Sequence, residues 1–369
     1  MKAGLILNPV AGMGGSVGLK GTDGPDAVSR ALALGAVPQS ESRVVRALAL
    51  LESLQEPIEW IAPKGPMGGD ALAAANQNLA VFISEAEPSA AATKRAARVM
   101  LDEGVDLVVF AGGDGTARDI AETVGWSIPV LGVPCGVKMH SAVFALTPEA
   151  AGRLLSDLAL AKPRAVEYRR AEVMDIDEAA LRNGHLNARL FGYVNVPHMR
   201  RMIQNAKATP QIQDETLLDM LGLEVAGEMQ SGVTYLVGPG TTAKRPLDAL
   251  GLPSELLGLD VVRDGEAVAS DATSAQALDI AGDGPLHIIC GVTGGQGFVF
   301  GRGNQQIGPQ AIERCWPGEV TILASAEKLA ALNPPELVVD TGDPALDARL
   351  RGYARVRTAP RRSMMMRLI

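Results

Sequence analysis

The sequence predicts an α/β N-terminal domain with a parallel sheet, followed by a β-rich antiparallel C-terminal domain. Three observations carry this expectation. Val105–Ala111 is an almost unbroken apolar run, the pattern of an inner strand covered on both faces, and it ends in Gly112-Gly113-Asp114-Gly115-Thr116. Strand and helix patterns alternate over the first 160 residues, which implies βαβ crossovers. From about Lys162 the apolar pieces shorten and are separated by turn residues such as Asn183-Gly184, Asp264-Gly265 and Asp283-Gly284-Pro285.

Taken in order, Ala3–Asn8, Ile58–Ala62 and Leu79–Ile83 read as strands. Ser89–Glu103 reads as a helix, with Ser89 as N-cap and Gly104 as its stop. The strand Val105–Ala111, a helix over Ala117–Val124 and a strand over Ile128–Val133 follow, and Thr147-Pro148 opens a helix through Leu160. In the second half, strands are expected at Arg170–Asp177, Ala188–Val196, Gly222–Ala226, Val233–Val237, Val261–Arg263, Ala275–Ile280, His287–Cys290 and Gly297–Phe300, with a helical insertion over Gln204–Leu221. The expected domains are 1–161, 162–319, and a segment 320–369 that packs back on the first.

The 369 residues are long enough for two cores, and 47% hydrophobic with 21% charged residues is ordinary for a soluble globular chain. A formal charge of −8 disfavours a nucleic-acid partner. Pro360–Ile369 forms a locally basic, Met-rich tail, read as a terminal or docking segment, with a contact with anions as the alternative. Cys135, Cys290 and Cys315 are odd in number and in no ligand spacing, so a reducing compartment is expected. The N-terminus lacks a signal-peptide pattern, and no run approaches the length of a membrane span. A cytoplasmic location is expected.

In open parallel sheets, ligands bind beyond the carboxyl ends of the strands. Asn8–Gly18, Gly112–Thr116 and Pro134–Ser141 all fall at such ends, so they are expected to meet in one crevice. Gly112, Gly113 and Gly115 let main-chain N–H groups approach an anion, and Thr116 adds a hydroxyl. A pure phosphate cradle has no use for a negative charge at its centre. Asp114 is therefore read as a base for a substrate hydroxyl, a metal ligand, or both.

The stretch Asn8-Pro9-Val10-Ala11-Gly12-Met13-Gly14-Gly15-Ser16 is a second candidate anion loop. It fits neither the dinucleotide fingerprint nor the Walker A pattern. Gly14-Gly15-Ser16-Val17-Gly18 matches the nucleophile elbow of serine hydrolases, without that motif's strand-to-helix context. In Gly294–Gln306, the Gly295 and Gly297 backbone with Gln296, Asn304 and Gln305 suits a base edge, ribose or amide, and Arg302 suits phosphate, with a tight β-hairpin carrying solvated polar residues as the alternative. In Gly238–Arg245, Thr241, Thr242 and Lys244 are phosphate or ribose candidates, with a solvated surface turn as the alternative. Asp23 is either a second carboxylate or a plain turn residue, and His140, His185, His198 and His287 are in no metal-ligand spacing.

The motif Gly112-Gly113-Asp114-Gly115-Thr116 after an apolar strand resembles the signature of the NAD kinase, diacylglycerol kinase and phosphofructokinase superfamily. Together with Asn8-Pro9-x-Ala11-Gly12-x-Gly14-Gly15, Gly132-Val133-Pro134-x-Gly136-Val137-Lys138 and Gly294–Gln306, the chain resembles the ATP-NAD/AcoX kinase branch over nearly its full length. That resemblance implies a nucleotide site, a divalent metal (usually Mg²⁺), ATP or polyphosphate as donor, NAD as acceptor, and a homo-oligomer. It implies phosphoryl transfer to the adenosine 2′-hydroxyl, with Asp114 taking the proton and Lys138 and Arg302 as candidates to neutralise transferred charge. The chain departs from the best-known NAD kinases in having no Asn-Glu dipeptide, and their Thr-Pro-Thr-Gly-Ser-Thr segment is represented at most by Gly238–Thr242. Three classes of function therefore follow: an NAD kinase, a kinase of another hydroxyl such as a lipid or small metabolite, and a non-catalytic nucleotide-binding accessory protein.

Overall fold

The computed structural model describes residues 1–17, 25–52, 54, 57–83, 87–136, 139–160, 167–176, 188–198 and 212–369. The chain forms two compact units, one of residues 1–13 and 21–206, the other of residues 14–20 and 207–369.

In the first unit, β1 (Lys2–Leu7), β2 (Glu59–Pro63), β3 (Leu79–Ile83), β4 (Leu107–Gly112) and β5 (Val130–Pro134) form a sheet of order β3-β2-β1-β4-β5. Every neighbouring pair is parallel. Helices α1 (Pro25–Ala33), α2 (Ser40–Leu48), α3 (Gly69–Ala74), α4 (Ala90–Asp102), α5 (Asp114–Val124) and α6 (Pro148–Ala159) accompany it. The apolar run of β4 is buried at every residue, as a two-face-covered strand requires. Phe110 of β4 meets Phe144 edge-on at 5.4 Å, within a core that includes Ile6, Val108, Ile120 and Val130. Burying one such phenyl ring contributes about 2–3 kcal/mol.

The expected caps are present. Ser89 accepts a hydrogen bond from the Ala92 N–H at the start of α4, and Thr147 accepts one from Ala150 at the start of α6. Helix α5 starts three residues earlier than the sequence suggests, because extended Gly113 acts as its N-cap and Asp114 enters the first turn, where a carboxylate is favoured. An antiparallel pair, β6 (Glu167–Ile176) with β7 (Ala188–His198), also groups with the first unit and buries Ala171, Val173, Val194 and Val196 in its core.

The second unit is strand-rich as expected, but its sheet is mixed rather than purely antiparallel. Strands β8 (Thr234–Val237), β9 (Asp260–Arg263), β10 (Glu266–Ala269), β11 (Leu286–Gly291), β12 (Phe298–Phe300), β13 (Val320–Leu323), β14 (Glu336–Val339), β15 (Gly352–Ala359) and β16 (Arg362–Leu368) take the order β10-β9-β8-β11-β13-β15-β16-β14-β12. The run β8-β11-β13-β15 is parallel, and antiparallel pairing is confined to β8-β9, β9-β10 and the β15-β16 hairpin. Parallel strands need crossovers, and α8 (Thr241–Leu250), α9 (Ser274–Ala281), α10 (Pro309–Cys315), α11 (Ala326–Ala330) and α12 (Pro344–Leu350) stand between strands in the chain. Residues 320–369, set apart in the sequence reading, contribute β13 to β16 to this sheet. The basic, Met-rich end read as a tail is β16, paired with β15 on one side and β14 on the other.

Of the helical insertion expected over Gln204–Leu221, residues 204–211 lie outside the described residues, and the rest is helical in α7 (Ile212–Glu228). Two segments expected as strands are also helical. Gly222–Ala226 lies inside α7, where Gly222 lets α8 approach so closely that a Cβ would stand 2.6 Å from the Arg245 Cβ. Ala275–Ile280 lies inside α9, started by a capping box in which Thr273 and Gln276 satisfy each other's main-chain N–H groups. Among the described residues, no helix is long and apolar enough to cross a membrane.

Candidate active site

The turn between β4 and α5 is built as the sequence suggests, and the structure adds what holds it. Asp114 is buried, and both its carboxylate oxygens are engaged by main-chain donors: Oδ2 accepts from the His140 N–H at 2.7 Å and Oδ1 from the Ser141 N–H at 2.9 Å. These two bonds fix the plane in which the carboxylate can accept further donors or a cation. The Ser141 hydroxyl in turn accepts from the Met174 N–H of β6, so the loop that holds Asp114 is tied to that strand.

Asn8 follows β1 and donates from Nδ2 to the Thr116 hydroxyl at 3.3 Å, while its Oδ1 accepts from the Val10 N–H. The Cys135 and Gly136 N–H groups both donate to the Gly112 carbonyl. Of the three segments expected to meet, Asn8–Met13, Gly112–Thr116 and residues 134–136 and 139–141 do so, whereas Gly14–Val17 groups with the second unit. Two glycines are needed for that contact. At Gly12, with φ +80°, a Cβ would stand 1.9 Å from the Cys135 carbonyl oxygen, and at Gly112 one would strike Thr116 Oγ1 at 2.4 Å. Gly115, by contrast, has open space where a Cβ would go.

The support beneath these loops is not among the residues that the sequence singles out. The single hydroxyl proton of Ser40 on α2 is shared between the Asn8 carbonyl at 2.8 Å and the Ala11 carbonyl at 3.3 Å, and buried Arg43 donates to the Pro134 carbonyl at 2.9 Å. Arg43 thereby brings a buried cation to the loop cluster. It stands 91 residues before Pro134 in the chain, on an amphipathic helix whose sequence carries no motif for this role.

On α5, Asp119 is also buried, and burial pushes its carboxyl pKa upward against the opposing pull of Arg118 and Lys94. Lys138, Asp23 and His185 lie outside the described residues. Gly14 groups with the second unit, where Gly15–Val17 is a single 3₁₀ turn. Gly18 of the nucleophile-elbow match lies outside the described residues.

The other candidates belong to the second unit. Thr241 and Thr242 open α8 behind Gly240, whose φ is +105°, and Thr242 Oγ1 accepts from Lys328 Nζ at 3.3 Å. Lys244 is not available to a ligand phosphate. Its ammonium is buried and donates to the Val237 and Gly258 carbonyls and to Asp260 Oδ2, all within 2.9 Å. Burial lowers its pKa, with Asp260 opposing.

Gly295 and Gly297 sit at positive φ in the turn between β11 and β12, beside buried Gln296. Arg302 is buried with its guanidinium 4.5 Å from the centre of the Phe298 ring. Asn304 donates from Nδ2 to the Val299 carbonyl at 2.6 Å and to the Gly291 carbonyl at 3.4 Å. That pairing fixes the amide orientation, since the flipped form would set oxygen against oxygen. Among the described residues, Asn304 Oδ1 is then buried without a hydrogen-bond partner, 3.0 Å from where a Gly238 Cβ would stand. Gln305 Oε1 is likewise buried and without a partner among the described residues.

His287 is held in a cross-strand chain, with Nδ1 at 3.0 Å from Glu319 and Nε2 at 2.9 Å from Thr321. All three cysteines are buried thiols outside any disulfide, and burial pushes Cys290 and Cys315 up to about 12, which keeps both protonated and unreactive. Among the described residues, no group of three His, Cys, Asp or Glu is placed to hold a metal ion.

Two solved structures described as "putative diacylglycerol kinase" from Bacillus anthracis str. Sterne are similar to this chain at 15% identity, with TM-scores of 0.26 and 0.25. The alignments cover 47% of this chain and 45% and 43% of theirs, so the chain spans less than half the length of either. No curated protein matches. Two family models match in tandem, the ATP-NAD kinase N-terminal domain over residues 4–161 and the ATP-NAD kinase C-terminal domain over residues 230–368. With the Asp114 turn inside the first match and the Gly238–Gln306 loops inside the second, the chain belongs to the ATP-NAD kinase family.

Proposed function

We propose that this protein transfers a phosphoryl group from ATP or polyphosphate to the 2′-hydroxyl of NAD, giving NADP. The observation that carries the reading is the Asp114 carboxylate, buried at the head of α5 and oriented by two main-chain N–H groups. Phosphoryl transfer has a loose transition state in most analyses, so alignment and charge neutralisation do most of the catalytic work. Asp114 would hold the acceptor hydroxyl with a lone pair toward phosphorus and take its proton late in transfer. The Gly113 and Gly115 amides and the positive end of α5 would steady donor phosphates.

A divalent cation fits this donor set. Mg²⁺ is commonly held by one or two carboxylates plus substrate phosphates and water, and Asp114 supplies a carboxylate at the head of the turn. Once bound, the ion would draw off charge developing on the phosphate oxygens. In the second unit, the Asn304 and Gln305 carbonyls, unpartnered among the described residues, suit the hydroxyl or amino donors of a nucleotide, and Thr241, Thr242, Gly295, Gln296, Gly297 and Arg302 would accompany them. Three cysteines outside any disulfide fit a reducing, cytoplasmic setting. Family resemblance also implies assembly into a homo-oligomer.

The test is incubation of purified protein with NAD, Mg²⁺ and either donor, followed by an NADP-specific coupled assay. NADP formation that is lost in Asp114→Asn supports the proposal. One observation favours a second reading, phosphorylation of another hydroxyl compound: the chain has no Asn-Glu pair to hold the acceptor ribose. Absence of NADP with both donors, with a different alcohol phosphorylated, would establish that reading instead.

A further inference from the structure

A buried arginine is costly unless its donors are met, so Arg43 marks a place where the fold uses a charged donor. It stands on the inward face of α2, 8% exposed and one turn after buried Ser40. From there Nη1 donates to the Pro134 carbonyl at 2.9 Å, and an ionised donor makes the stronger kind of hydrogen bond.

Pro134 is the last residue of β5 and pairs with Gly112 at the end of β4. The next two N–H groups, those of Cys135 and Gly136, both turn to the Gly112 carbonyl at 3.2 Å. Further along, the His140 and Ser141 N–H groups close on the Asp114 carboxylate. The chain after β5 therefore departs at Gly112 and comes back two residues later, at Asp114. Arg43 fixes the point of departure, and the amides that orient Asp114 belong to the same stretch of chain.

We infer that Arg43 is a positioning residue for phosphoryl transfer, acting on Asp114 through the stretch that runs from Pro134 to Ser141. The inference rests on the reading of Asp114 as the group that holds the acceptor hydroxyl. Two features set this role apart from phosphate binding. Nη1 of Arg43 is directed at a main-chain carbonyl. Ser40, on the same face of α2, likewise serves main-chain carbonyls, those of Asn8 and Ala11, so this face holds the loops by their backbone. Displacing a reacting group by about 1 Å can cost about 10²-fold in rate, so a loosened exit from β5 is enough to be read in turnover.

Two measurements on the full chain test this, and they do not share a failure. The first is main-chain hydrogen exchange without substrates, read by mass spectrometry. Arg43→Met should speed exchange in peptides that contain His140 and Ser141, while peptides of β2 and β3 exchange as in the wild type. The second is a double-mutant cycle with ATP, NAD and Mg²⁺. Arg43→Met should lower kcat by about tenfold or more, with KM for either substrate changed by less than about threefold. In the Asp114→Asn background the same substitution should cost less than about twofold, because residues that act as a unit are not additive. Arg43→Lys keeps a charged donor and should recover part of the lost turnover. It serves in both measurements if Arg43→Met does not fold.

Unchanged exchange at His140 and Ser141 would overturn the inference. So would an equal loss of turnover in both backgrounds, or a raised KM at unchanged kcat, which would make Arg43 a substrate-binding cation. Each of these outcomes leaves the reading of Asp114 standing. A wild type that phosphorylates an alcohol other than NAD takes the same cycle with that alcohol. A wild type that phosphorylates no alcohol would remove the reading of Asp114, and with it the positioning role, whatever the exchange shows.

Discussion

The two units each contain a parallel strand that runs through a glycine turn into a helix, and in each a charged residue lies in the first helical turns. At β4–α5 the charge is Asp114; at β8–α8 it is Lys244. Their fates differ. Asp114 is oriented at the head of its helix by two main-chain N–H groups. Lys244 spends its three donors on two carbonyls and Asp260 and ties three segments of the second unit together. A charged side chain beside a glycine turn is thus no guide to function until its partners are known. The sign of the charge gives a physical clue: a carboxylate is favoured at a helix N-terminus, whereas a lysine there must turn inward to find acceptors.

The sharpest way to break the comparison is to remove each charge. Lys244→Met strands Asp260 in the interior and should cost about 3–5 kcal/mol in denaturant unfolding. Replacing both partners with apolar residues should recover part of that loss, since the Glu255 and Asp271 N–H groups also lose Asp260 as acceptor, and a double variant as unstable as the single one would contradict the pairing. Asp114→Asn sets an amide NH2 against one of the two main-chain N–H groups, so it should cost about 1–3 kcal/mol, less than Lys244→Met, while cutting turnover by about 10²-fold or more. Unfolding on that substitution would make Asp114 another Lys244.

The glycines sharpen the contrast at smaller scale. Gly112→Ala drives a methyl into Thr116 and should cost about 1–3 kcal/mol. Gly115→Ala meets open space inside a helix and should add about 0.5–1 kcal/mol to stability. A higher melting temperature with lost activity in the Gly115 variant would point to close ligand approach at that amide.

The smallest effect concerns pH. Burial raises the Asp119 pKa in the folded state above its ordinary value of 3.8, so the folded protein holds that proton more tightly than the unfolded chain. Stability from this group is therefore greatest in acid and declines as pH rises from 3.8 through the raised value. Asp119→Asn should flatten that part of the stability–pH curve, and an unchanged slope would remove Asp119 as its source.

Much of the first unit was legible in the sequence because its signals are local. Unbroken apolar strands, the Ser89 and Thr147 caps and the Gly112–Thr116 turn each declare themselves within a few residues. What supports the site was not legible. Ser40 and Arg43 reach the loops from α2, and the His140 and Ser141 amides reach Asp114 across 26 and 27 residues, through main-chain groups that no side-chain pattern advertises.

In the second unit the short apolar pieces Gly222–Ala226 and Ala275–Ile280 carry no clear period, and tertiary context made both helical. The Thr273–Gln276 capping box was the available signal for the second. Gly222 misled because glycine here serves close helix packing rather than a turn. The inward fate of Lys244 depends on Asp260, sixteen residues away on another strand.

Whether the Asp114 carboxylate takes part in moving phosphorus onto an alcohol is open to one direct measurement. Phosphorus NMR can follow wild type and Asp114→Asn in parallel, each with ATP, NAD and Mg²⁺. The wild type should give a new phosphomonoester resonance with growth of ADP, and the variant neither at a comparable rate. Equal product formation by both proteins would contradict a role for Asp114 in the transfer.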